Sequence, residues 1–233
     1  MMMRFPLSGF ITPLLGMVLL VTAGRPAAAQ IRGRSVASPD SRWVFSGGVS
    51  AAVITDINDG ATGTTWKFGS DPLFLLRGTV EKALDEATTI GVAASYGKID
   101  LTVVPFAVAQ STPALPANCA QNCAAQSDMW QAMAQFRSGG GPGFHTFFEG
   151  NGGVTTFRRL RTRVDQVAIG KPTGALDLSG TLGGGFGYTL SQKLAVTLVQ
   201  DFGIGFHSKT NLADGVSRTW RIRNTRAQLR FTF

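Results

Sequence analysis

Residues 226–233 read RAQLRFTF. Arg226, Gln228, Arg230 and Thr232 alternate with Ala227, Leu229, Phe231 and Phe233, so a strand here has one cationic, polar face and one apolar face. A soluble barrel or sandwich turns the apolar face inward. A membrane barrel turns it outward, toward lipid. Alternation alone does not choose between them, because both have a period of two residues.

The same alternation recurs upstream. Segments predicted as strands run over 42–55, 73–84, 89–104, 128–137, 144–157, 176–190, 193–207 and from Thr219 onward. Trp43, Phe45, Val49 and Val53 share a face, and so do Ile90, Val92, Ala94 and Tyr96. The opposite faces are rich in glycine, serine, threonine and glutamine, with sparse arginines and acids. They are not the Lys/Glu mixture of a wetted surface. The connections alternate in length: 85–88, 138–143 and 191–192 are short, whereas 56–72, 105–127, 158–175 and 208–218 are long. Strands that cross and return in this way put every short turn, and both ends of the strand array, on one side.

Composition agrees with a lipid solvent. Hydrophobic residues make up 44% of the 233 residues and charged residues only 15%, against about 25% in soluble domains. Aromatics (Trp43, Tyr188, Phe231, Phe233) sit near strand ends, where interface girdles lie. Together these features predict an all-β fold: an eight-stranded antiparallel up-and-down transmembrane β-barrel over 42–233.

The first residues read as a targeting segment. Arg4 precedes an apolar run from Phe10 to Ala23, and Ala27 and Ala29 form an A-x-A cleavage pattern. Residues 1–29 are therefore expected to be a signal peptide and 30–41 a periplasmic lead-in. An uncleaved anchor is the competing reading, but the apolar run is short for a spanning helix. Removal of 1–29 leaves 20 basic and 14 acidic residues, a net +6. After export, nucleic acid is not an expected partner. Lipid phosphates or acidic glycans are. Cys119 and Cys123 are an even pair in an exported chain, which favours a disulfide at the tip of the second long loop. No metal, cofactor or catalytic residue is expected.

Over 147–158 (FFEGNGGVTTFR), 180–206 (GTLGGGFGYTLSQKLAVTLVQDFGIGF) and 229–233 (LRFTF), the chain resembles the small eight-stranded outer-membrane barrels of the OmpA/OmpX type, including the opacity-like barrels. The resemblance implies a place in the bacterial outer membrane, with the N-terminus and short turns in the periplasm and long loops outside. A monomer is expected. The resemblance also implies that Phe231 and Phe233 form the signal read by the outer-membrane assembly machinery. Because the sequence stops at the barrel, no peptidoglycan-binding domain is expected to follow.

Within such a barrel, Arg77, Arg226 and Arg230 face inward, as do Glu81, Glu149, Asp177 and Asp201. Ion pairs are expected among them, Asp201 with Arg226 in particular, since unpaired buried charge is costly. A selective solute path through the same groups is the alternative. Arg158, Arg159, Arg161 and Arg163, in the basic run RRLRTR, fall in a long outer loop, either touching lipopolysaccharide phosphates or simply solvated. His207 and Ser208 in GFHSKTN are similar to the H-x-S-N arrangement of lipid A deacylases, but adjacent strand residues point to opposite faces. His207 is therefore expected at the rim near lipid headgroups. Three functions remain open: a non-enzymatic structural or surface-interaction barrel, a narrow transporter of small or hydrophobic solutes, or a lipid A-modifying enzyme. The first is favoured.

Overall fold

Short turns and long connections alternate in the computed structural model, which describes residues 42–106, 119, 121–169, 176–207 and 216–233. The expected signal peptide, the segment 30–41 and Ser208 lie outside the described residues. Among them are ten strands: β1 (Trp43–Ile54), β2 (Ile57–Asp59), β3 (Thr64–Lys67), β4 (Leu73–Ala83), β5 (Thr88–Pro105), β6 (Cys123–Gly139), β7 (Phe144–Thr162), β8 (Asp177–Ser191), β9 (Leu194–Phe206) and β10 (Thr219–Thr232). Eight of them close into an antiparallel barrel in the order β1, β4, β5, β6, β7, β8, β9, β10. The seam runs from Val44 opposite Thr232 to Ile54 opposite Ile222. Closure matters energetically, because an open edge would leave backbone amides unpaired in hydrocarbon.

Two differences from the sequence reading concern the outer end. The connection 56–72 is not all loop: β2 and β3 form a hairpin in it, and β3 pairs with the far end of β5. Residues 123–127 and 158–162, also expected as loop, extend β6 and β7. These strands rise beyond the lipid-facing region, still paired to each other, through an irregularity at Gln126–Asp128. Arg159, with φ of 55°, lies beside it. Across this step Phe157 and Leu160, three residues apart, both turn inward.

The short turns gather at the other end. In the first, the Asp85 carboxylate accepts the backbone N–H groups of Ala87 and Thr88, both at 2.7 Å. Those bonds, Ala87's foremost, hold its carboxyl below the usual range. The first and last strands meet there too: the Phe233 N–H donates to the Trp43 carbonyl at 2.9 Å.

Outward-facing residues on the barrel wall are apolar and exposed, among them Phe74 (71%), Leu76 (65%), Val92 (62%) and Leu178 (65%). Their inward neighbours are polar. Along β5 this chemistry inverts while the parity stays fixed. Up to Tyr96 the outward residues are Ile90, Val92 and Ala94. Beyond it they are Lys98, Asp100 and Thr102, and Ile99, Leu101 and Val103 turn inward, buried. β10 does the same, with Leu229 and Ala227 outward below and Arg223 and Arg221 outward above. The inversion marks the edge of the lipid-facing band. Below it the barrel is solvated by lipid, and above it by water, so its upper section has an apolar core.

That core contains Ile54, Ile57, Trp66, Phe68, Leu75, Ile99, Leu101, Val103, Met129, Leu160, Trp220 and Ile222, with Phe157 among the aromatic rings. The Phe157 ring lies 5.7 Å from Trp66 and 6.1 Å from Trp220. Gly205 is required here: a Cβ on it would strike the Trp220 ring.

Candidate functional site

Below the apolar plug the lumen is filled by a layer of buried charge. Parity puts each member inward, and the barrel is narrow enough for side chains to meet across it. Arg226 on β10 donates to Asp201 on β9 through Nε (2.6 Å) and Nη2 (2.9 Å), and through Nη2 to Glu149 on β7 at 2.5 Å. Glu149 also accepts Nη2 of Arg137 at 2.7 Å, and Arg77 Nη2 lies 3.7 Å from it. Arg77 donates to Gln135 and Asn151 at 2.9 and 2.8 Å. Arg230 donates to Glu81 at 3.1 Å. Charge-assisted bonds of this kind are the strong ones, and burial removes most of the solvent that would screen them.

The structure thus brings Arg77, Glu81, Glu149, Asp201, Arg226 and Arg230 into one layer. The register is not the simplest one: Asn224, not Arg226, stands opposite Asp201, so Arg226 reaches two residues along the strand. Arg137, Gln135, Asn151 and Gln228 also belong to the layer, though they were not singled out as site residues. Their inward parity was the signal. The Arg137 guanidinium lies 4.1 Å above the Phe147 ring. Gly185 makes room for that ring, since a Cβ there would come within 2.6 Å of Phe147 Cζ.

Asp177 is not in this layer. It lies at the start of β8, beside the apolar plug, and accepts His207 Nδ1 at 2.7 Å. The other ring nitrogen is 3.5 Å from Asp59 of the β2–β3 hairpin. His207 is therefore not a rim residue among headgroups but is buried inside the outer end, its ring 5.3 Å from Trp66. Burial lowers its pKa, but the bonds to Asp177 and Asp59 outweigh burial and raise it. Such a histidine offers no lipid-accessible base.

The disulfide joins Cys119 and Cys123, with Cα atoms 4.8 Å apart. It lies at the base of the second long connection, not at its tip: Cys123 opens β6 and Cys119 is buried in the plug. Outside the barrel, Arg158 and Arg159 are exposed, and Arg159 is 3.4 Å from Asp128. Arg159 and Arg161 line a polar niche of about 120 Å³ with Lys98, Gln126 and Gln166. Arg163 is 3.6 Å from Asp100. The four arginines stand just above the lipid-facing band, Arg158 to Arg161 on the wall of β7 itself. Phe231 and Phe233 are on the lipid face at the opposite end, where Phe233 meets Phe45 edge-on at 5.6 Å.

No protein-family model and no curated protein matches the sequence. Solved structures resemble its shape. Neisserial surface protein A is 11% identical, with a TM-score of 0.49 over 82% of this chain and 97% of that one. OprG of Pseudomonas aeruginosa is 16% identical (TM-score 0.45; 83% and 96% covered). The outer-membrane protease OmpT of Escherichia coli is 11% identical (TM-score 0.41; 84% and 98% covered). Likenesses this distant carry no role over to this chain. The membrane assignment rests on the apolar outer band of a closed antiparallel barrel, which is the architecture of the bacterial outer membrane.

Proposed function

We propose that this outer-membrane barrel is a closed, non-enzymatic surface protein, held in the outer leaflet through contacts between its basic rim and lipopolysaccharide phosphates. One observation carries the reading: the lumen holds two stacked fillings, an ion-paired layer and an apolar plug sealed by a hairpin. A path for a polar solute through the plug would have to strip its water without replacing the lost hydrogen bonds. The surfaces left for function are the outer connections and the rim. Arg158, Arg159, Arg161, Arg163 and Lys98 sit at headgroup height, where a guanidinium can bind a phosphate bidentately. By the stated resemblance, Phe231 and Phe233 serve assembly and not ligand binding.

Two measurements test this. In planar bilayers the purified protein should give no conductance above leak, whereas discrete channels would favour the transporter reading. Lipopolysaccharide should co-purify with the wild type, and a variant with Arg158, Arg159, Arg161 and Arg163 all changed to Gln should lose most of it. Unchanged retention would remove the rim from the proposal.

A further inference from the structure

The charged layer does not balance. Among the described residues it holds four arginines, Arg77, Arg137, Arg226 and Arg230, against three acids, Glu81, Glu149 and Asp201. One positive charge is left over in a largely buried site. The hydrogen bonds are lopsided in the same sense. Six buried donor atoms of this layer meet no acceptor: Arg77 Nε, Gln135 Nε2, Arg137 Nε, Arg226 Nη1, Gln228 Nε2 and Arg230 Nη1. Among the buried amide and carboxylate oxygens of the described residues, only Asn224 Oδ1 is similarly unmatched. Leaving buried donors unmatched is costly, and the cost is greater for charged ones.

Two of these arginines border a cavity. A space of about 170 Å³ opens at the short-turn mouth, lined by Arg42, Arg137, His145 and Arg230, with Asp85 and Glu86 also bordering it. Arg137 is 3% exposed. Its Nη2 is occupied by Glu149 and Gln228, and its Nε has no acceptor. Arg230 spends Nη2 on Glu81 and has Nη1 unmatched. Of the two acids, Asp85 is already engaged by its own turn's amides. The cavity is thus bordered by fixed cationic donors that lack acceptors.

We propose that this periplasmic mouth binds a small phosphate-type oxyanion, seated against Arg137 and Arg230 and reached past Arg42. One such ion supplies the missing negative charge and gives an acceptor to the unmatched nitrogens of the two arginines that line the cavity, Arg137 and Arg230. Free phosphate and the headgroup of an inner-leaflet phospholipid share this chemistry.

The test uses the protein refolded in a phosphate-free, non-ionic detergent. Inorganic phosphate is titrated against chloride at constant ionic strength while the arginine Nε–H resonances are followed by NMR. The signals of Arg137 and Arg230 should shift saturably. Arg230→Gln should weaken the apparent affinity about tenfold or more. Gln228→Glu places a carboxylate beside Arg137, so it should fold and lose the response, which keeps the test decisive if Arg230→Gln does not fold. In a second arm, phosphatidylglycerol is added to the same micelles. A shift with lipid and not with inorganic phosphate assigns the site to a headgroup. No saturable shift with either ligand, or a wild-type response in Gln228→Glu, overturns the proposal.

Discussion

Arg226 is fully buried and holds two acids at once, so its side chain fixes the positions of three strands. Removing one partner of a buried pair leaves a charge without compensation and costs about 3–5 kcal/mol. Asp201→Ala and Arg226→Ala should each destabilise the barrel by that order, and the double variant by much less than their sum. Urea unfolding in lipid vesicles, run as a double-mutant cycle, measures the coupling, and strict additivity would contradict the pairing. This contact was legible in the sequence, since both residues point inward on consecutive strands. The bond from Arg226 to Glu149 was not. It crosses the lumen between β10 and β7, and parity says which face a residue takes, not which residues meet across the space. For the same reason Asp177 reads as a member of the arginine layer, when its height on β8 gives it to His207.

At the scale of elements, the β2–β3 hairpin was hidden because strands of three and four residues show too little periodicity to be read. Its attachment is electrostatic as well as apolar: Asp59, within the hairpin, faces His207 on the barrel. The His207 pKa is raised in the folded protein, because Asp177 and Asp59 together overcome the effect of burial. A raised histidine contributes its stabilisation fully below its unfolded pKa and loses it as the pH rises through the folded value. The hairpin should therefore be held tightly in mildly acidic solution and loosen in alkali. Hydrogen exchange at the β2–β3 amides should accelerate above that raised pKa beyond the intrinsic effect of pH. His207→Gln should flatten this excess. An excess that survives in His207→Gln would assign the dependence to another group.

Over the whole molecule, one rule about faces meets two solvents. From Trp43 to Phe233 the inward and outward parities hold along most of each strand, and they made eight strands, their order and their lipid faces readable in advance. The two-storey interior was less apparent, although the signal is present: Lys98, Asp100 and Thr102 take the outward positions where Ile90, Val92 and Ala94 stood. A polar outward face means water, so the same substitution should have different costs at two heights. Leu182 is outward on β8 within the band, 61% exposed. Thr102 is outward on β5 above it. Arginine on the lipid face costs about 2–4 kcal/mol near the midplane and falls to about 0–1 near the interface. Leu182→Arg should thus lower stability in vesicles by the larger amount, and Thr102→Arg should stay close to wild type. In non-ionic micelles, which deform around a charge more readily, the difference should shrink. Equal costs at both positions would mean that the exterior meets a single solvent from end to end, and the division of the barrel into a lipid-facing and a water-facing section would have to be abandoned.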